Sequence, residues 1–171
     1  YAEICDTTFG GKLTRLQVKA VTISLLYGAQ DATISRVSGL HGDDLKRAVE
    51  AVISFFGITS LQERLLEEVK MTGKIKSYFG RPIDPGDRRN LVNRFAQTSA
   101  VEVALLGFAN AIDFIREKNL KIHPLFNVHD ALILDVHQDD VCYIEEIGKQ
   151  CGQVPGFNET FPVRHEEISC V

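Results

Sequence analysis

The sequence contains no run of uncharged apolar residues near the roughly 18 to 20 that a membrane-spanning helix needs. The best candidate, Val101 to Ile112, is too short and is broken by Glu102. The first residues, Tyr1-Ala2-Glu3-Ile4-Cys5-Asp6, lack both the basic flank and the apolar stretch of a secretory leader. These absences predict a soluble, unexported protein with no membrane partner, placed in the cytoplasm. Cys5, Cys142, Cys151 and Cys170 are far apart, with no Cys-x2-Cys pair and no His at ligand spacing. That pattern suggests neither a zinc site nor a dense disulfide framework, and leaves reduced thiols as the expectation. A phosphate-binding loop of the Gly-x4-Gly-Lys-Ser/Thr kind is missing too, since Gly10-Gly11 has no strand before it. No internal repeat or low-complexity segment is present.

What is present suits an ordered chain. It has 171 residues, 44% hydrophobic and 25% charged, enough to bury one core or two small lobes. The net charge of -4 is spread unevenly. Lys70, Lys74, Lys76, Arg81, Arg88, Arg89 and Arg94 face only Asp84 and Asp87 within their stretch. Further on, Asp130, Asp135, Asp139, Asp140, Glu145 and Glu146 fall in a stretch with no Lys or Arg. A basic stretch followed by an acidic one fits a protein that holds phosphates near one element and cations near another, and it also fits a merely solvated surface.

Apolar spacing predicts a first helix from about Leu13 to Tyr27, capped by Thr14 and ended by Gly28. Further helices are expected at Ala32–Ser38, Asp43–Phe56 with Asp43 or Asp44 near its cap, and Ser60–Met71, with Gly57 and Gly73 as stops. Lys74 to Ile83 reads as a short hairpin, Pro82, Pro85 and Gly86 as a loop, and Arg88 to Glu117 as a long helix. Beyond Pro124 the pattern turns to strands, Leu125–Val128 and Leu132–Val136, joined through His129-Asp130-Ala131. A helix from Gln138 to about Cys151 and a closing strand at Phe161–Ile168 follow. The expected class is α+β, with helices first and an antiparallel sheet late.

Three groups of residues carry chemistry. Arg15, Lys19, Ile23 and Tyr27 are four apart and share one helix face, because each four-residue step drifts by only about 40°. A guanidinium fork and an ammonium one turn apart suit a triphosphate, although a solvated helix face carries such pairs as well. Arg89, Asn93 and Gln97 repeat the spacing on the long helix; amides offer the donors and acceptors that base edges require, and a plain amphipathic helix stays open as the alternative. His129-Asp130 puts a carboxylate at a tight turn, where it can meet a hard cation such as magnesium or simply satisfy the turn.

Taken in order, Arg15-x3-Lys19-x7-Tyr27-Gly28, Arg89-x3-Asn93-x3-Gln97 and Val128-His129-Asp130 resemble the family A (DNA polymerase I-like) DNA polymerases. The likeness extends to Gly80-Arg81, similar to the family's turn after the fingers, and to Phe161–Val171, similar to its last strand. It implies a right-hand polymerase architecture, with fingers at 1–86 and the C-terminal part of the palm at 87–171. By the same resemblance Arg15 and Lys19 meet the phosphates of a dNTP, Ile23 lies near its sugar, and Tyr27 stands beside the templating base. Arg89, Asn93, Gln97 and His129 line the minor groove of primer-template DNA. Asp130 is one of two aspartates holding two Mg2+ ions for nucleotidyl transfer. The second aspartate belongs to a segment upstream of the fingers, so the expectation is a fragment or split subunit that is inactive until joined to the remaining palm and thumb. A phage-encoded chain would act in the host cytoplasm; an organellar setting stays open.

This sequence departs from the family at Ile23, where Phe or Tyr is usual, and at Ala131, where Glu usually follows His-Asp. Sugar discrimination therefore does not carry over. Asp135 is no substitute ligand, because five residues along a strand turn it to the face opposite Asp130. A single-subunit RNA polymerase shares the first and third motifs, but the row Arg89, Asn93 and Gln97 is similar to the DNA-polymerase form. A non-catalytic, polymerase-derived nucleic-acid-binding subunit is the other alternative.

Overall fold

Helix boundaries in the N-terminal half follow side-chain chemistry residue by residue. The computed structural model describes residues 2–9, 12–87 and 90–168. Five helices come first: α1 Ala2–Phe9, α2 Arg15–Leu26, α3 Asp31–Ser38, α4 Gly42–Phe56 and α5 Ile58–Thr72. Thr14 caps α2 as expected: its Oγ1 accepts from the Gln17 backbone N–H at 3.2 Å, and Gln17 Oε1 accepts from the Thr14 N–H at 2.9 Å. This reciprocal box satisfies two amides that the first turn would otherwise leave unpaired. At α4 the cap is His41, and Asp43 and Asp44 lie inside the first turn, where their charge complements the positive helix end. Gly57, at φ 60°, ends α4 and starts α5.

The expected hairpin follows as β1 Ile75–Lys76 and β2 Pro82–Ile83, paired antiparallel. The long helix α6 runs Leu91–Glu117, and Arg88 and Arg89 lie outside the described residues. It has 27 residues, and an 18-residue window within it has a mean hydropathy of 1.4, which meets the length and composition of a membrane-crossing helix. Its most buried apolar side chains nevertheless fill protein cores: Leu91 and Val92 in one, Ala111 and Ile115 in another. Contacts divide the chain into units 1–98 and 99–171, a split inside α6, because its first turns pack with the preceding helices.

In the first unit Val18 and Val21 of α2 meet Ile34, Leu45, Val52 and Leu65 in one apolar core. Each such side chain contributes about 1.5 to 3 kcal/mol by leaving water. In the second unit β3 Ile122–Val128 pairs antiparallel with β4 Ala131–Val136. The register slips between Pro124 and Phe126, since Pro124 has no N–H for the ladder. Ile122 packs with Ala111, Ile115 and Ile147 of α7 Ile144–Gly152. A Cβ on Gly107 would clash with the Cys151 carbonyl oxygen, so glycine allows α6 and α7 to approach closely.

Two expectations fail in this unit. The helix expected over Gln138–Cys151 divides into a 3-10 turn, Gln138–Tyr143, and α7. The backbone amides bond differently there: the Asp139 N–H donates to His137 Nδ1 at 3.3 Å and the Asp140 N–H to the His137 carbonyl three residues back at 2.9 Å, while Asp140 Oδ2 accepts from the Lys121 N–H at 2.6 Å. Phe161–Ile168 forms no strand and is exposed. The Phe161 N–H donates to the Gly152 carbonyl at 2.8 Å, but Pro162 then lacks a donor, and β3–β4 remains two-stranded among the described residues. The family-like last strand is thus absent over 161–168, and 169–171 lie outside the described residues. The class stands as expected, helical first with small antiparallel sheets.

Candidate functional site

Helix α2 has two distinct faces. Val18, Val21 and Thr22 are buried, and Thr22 Oγ1 donates to the Val18 carbonyl at 2.8 Å, so the inner face is committed to the core. On the outer face Arg15 and Lys19 are exposed, Ile23 is 38% exposed and Tyr27 59%. The row extends about 18 Å at 1.5 Å per residue. Neither cation has an ion-pair partner among the described residues, so both charges are available to an anion.

Tyr27 ends the helix as its C-cap, and Gly28 turns the chain at φ 68°. The Tyr27 hydroxyl accepts a hydrogen bond of 2.5 Å from Gln97 Nε2 on α6. Two of the three sequence motifs thereby meet in space within the first unit. The pairing links residues 70 positions apart, and the spacing of neither motif alone announces it. A cleft of about 260 Å3 in the same unit is lined by Leu25, Gly28, Ile53, Thr59, Gln62 and Val92 among others.

The α6 row differs from expectation in its surroundings. Arg89 lies outside the described residues, Asn93 is buried at 8% exposure, and Gln97 is exposed. Asn93 makes no side-chain hydrogen bond among the described residues. At Gly80-Arg81 the turn is well built: Ser77 N–H donates to the Arg81 carbonyl at 2.9 Å, and the Arg81 N–H donates to Ser77 Oγ at 3.0 Å. Gly80 supplies φ 88°, which a side chain would strain.

In the second unit Val128 pairs with Ala131, which leaves His129 and Asp130 as a two-residue turn. His129 adopts φ 54°, an uncommon conformation for a residue with a Cβ, though histidine tolerates it better than most. Both side chains are exposed at a tip anchored by the ladder. Asp135 sits down β4 opposite His123, away from that tip. Magnesium takes oxygen ligands and commonly one or two protein carboxylates, so Asp130 fits as one ligand. Among the described residues no group of three or more His, Cys, Asp or Glu is placed to hold a metal. A cleft of about 820 Å3 in the same unit, lined by Asp113, Phe114, Glu117, Phe157 and Glu159 among others, contains none of the expected site residues. Burial raises the Cys151 thiol pKa above its ordinary value, which makes it a poor nucleophile.

Comparison with known proteins bears on the family of the chain. The sequence profile of DNA polymerase family A matches residues 7–155. DNA polymerase I of Lactococcus lactis subsp. cremoris (strain MG1363) is 27% identical over 149 residues, covering 80% of this chain and 17% of that protein. The thermostable DNA polymerase I of Thermus filiformis is 29% identical over 136 residues, covering 73% of this chain and 16% of that one. This chain thus spans about a sixth of the length of these relatives. Among solved structures, the POL domain of Pol1 from M. smegmatis, in complex with DNA primer-template and dNTP, superposes with a TM-score of 0.70 at 18% identity. That match covers 87% of this chain and 30% of that one, and it shows a shared fold.

Proposed function

The chain belongs to DNA polymerase family A, and from that premise we propose that it serves as the fingers (1–86) and C-terminal palm (87–171) of a template-directed DNA polymerase. The observation that carries the reading is the open cationic face of α2, whose Tyr27 end is bonded to Gln97 of the second motif. Arg15 chelates triphosphate oxygens of a dNTP, and Lys19 adds a point charge one turn on. Ile23 lies toward the sugar and Tyr27 toward the templating base. Arg89, Asn93, Gln97 and His129 contact the minor groove of the primer-template. Asn93 is covered in this structure, so its contact requires that cover to shift when DNA binds.

Asp130 holds one carboxylate toward the primer terminus, and the sheet fixes its position. Magnesium, when bound there, would activate the primer 3′ hydroxyl and offset charge on the leaving pyrophosphate. One aspartate holds a two-ion site poorly, and among the described residues no group of three or more His, Cys, Asp or Glu is placed to hold a metal. The 171-residue chain by itself is therefore expected not to extend a primer, and joining it to the remaining palm and thumb of a family A polymerase should permit synthesis.

Primer extension in magnesium tests the reading. In the completed polymerase Asp130→Asn should abolish extension while leaving DNA binding intact, since it removes the charge and keeps the shape. Near wild-type extension by that variant would remove Asp130 from the site. Robust extension by the isolated chain, free of host polymerase, would show that one carboxylate suffices.

A further inference from the structure

The β1–β2 hairpin carries a surface that the site above does not use. Its tip presents Tyr78 at 55% exposure and Phe79 at 37%, with ring centroids 5.1 Å apart and planes at 80°. Large apolar side chains grouped on a surface usually mark a contact. The tip is rigid: Ser77 is buried, the Gly80 N–H donates to the Ser77 carbonyl at 3.0 Å, and the Ser77 and Arg81 amides make the bonds described above. Ile75, fully buried, anchors the strand beneath it.

Charge identifies the occupant. From Lys70 to Ile83 the chain carries Lys70, Lys74, Lys76 and Arg81 and no carboxylate. The next acidic residue, Asp84, is engaged in its own turn, with Oδ1 accepting from the Gly86 N–H at 2.9 Å. Lys74 and Lys76 are exposed and form no salt bridge among the described residues. A second exposed aromatic pair, Phe55 and Phe56 at 5.0 Å, closes α4 in a stretch from Ala48 to Glu63 that has no Lys or Arg. Aromatic rings interleaved with cations on a fixed turn match the way proteins hold single strands, bases on rings and phosphates on ammonium groups.

We propose that the β1–β2 hairpin binds an unpaired DNA strand, with a base stacked on Tyr78 and the flanking phosphates on Lys74 and Lys76. The proposal rests on the reading of the chain as a DNA polymerase portion and adds a site for the single-stranded part of its template. Duplex recognition belongs to α6 and the β3–β4 turn, whereas the hairpin takes bases whose faces are bare. Stacking is indifferent to base identity, so the site should tolerate any template sequence.

Fluorescence anisotropy at fixed low salt, with a labelled single strand and a labelled blunt duplex, tests this on the 171-residue chain. Tyr78→Ala should weaken single-strand binding by about 5- to 150-fold, the loss typical of one base–aromatic stack, and leave duplex binding unchanged. Tyr78→Phe should restore affinity, Phe55→Ala should have no effect, and Lys76→Gln should reduce the slope of log affinity against log salt by about 0.7. Single-strand affinity indifferent to Tyr78→Ala, equal loss on both DNAs, or no single-strand binding by the wild-type chain would each overturn the hairpin site. Failure of the completed polymerase to extend a primer, with Tyr78-dependent single-strand binding intact, would count against the polymerase reading alone.

Discussion

The rows on α2 and α6 have the same four-residue spacing and opposite fates. On α2 the spaced residues all face water, and the opposite face, Val18, Val21 and Thr22, holds the helix to the core. On α6 the same rhythm leaves Asn93 buried, next in the chain to Val92 in the first core, while Gln97 is exposed and bonded to Tyr27. Spacing decides which side chains share a face, because it is a property of the helix alone. What that face meets depends on where the helix packs. An exposed row of charge with no structural partner is free for a ligand, whereas a half-covered row also contributes to the fold.

The contrast can be broken most sharply at its structural end. Leu91→Ala, at a fully buried position on the first turn of α6, should destabilise the chain by about 2 to 5 kcal/mol through lost burial and a residual cavity. Urea denaturation measures this, and a loss of a few tenths would mean that the first turns of α6 are not part of the core. Next in size is Lys19→Ala on the open face. It should lower the nucleotide specificity constant of the completed polymerase about 10- to 150-fold, the equivalent of one charge-assisted phosphate contact. Stability should move by no more than about 0.5 kcal/mol, as for other exposed positions. A change confined to stability would make the α2 row a solvated face and nothing more. The smallest effect concerns the link between the rows: a double-mutant cycle on Tyr27→Phe and Gln97→Ala should give a coupling of about 0.5 to 1 kcal/mol. Zero coupling would separate the two motifs.

Legibility in the sequence followed the same divide between local and distant causes. The cap at Thr14, the left-handed stop at Gly57, the Ser77–Arg81 turn and the His129-Asp130 hairpin each depend on a few neighbouring residues, and each formed where expected. The Gln138–Cys151 helix divides where His137 takes the Asp139 and Asp140 amides and the Asp140 carboxylate bonds to Lys121, a partner well outside the local window. The closing strand failed because a strand exists only against another edge, which no pattern within 161–168 reveals. The site divides in the same way. The positions of Arg15, Lys19 and Asp130 were readable from spacing and turn chemistry, but the burial of Asn93 and the Tyr27–Gln97 bond depend on how α2 and α6 pack.

Gly57 limits how this chain can change in length. One residue closes α4 and opens α5, with its N–H donating to the Ser54 carbonyl and its own carbonyl accepting from the Leu61 N–H. No spare loop residue is available to absorb an insertion there. Adding a single amino acid would advance the helical phase by about 100°, carrying the fully buried Leu65 away from Val52 and toward water. Substitutions along the outer faces of α4 and α5 can accumulate freely. Insertions and deletions at their junction should be purged, and a library of length variants sorted for folded protein should be depleted at Gly57 while tolerating additions in the loop around Pro85.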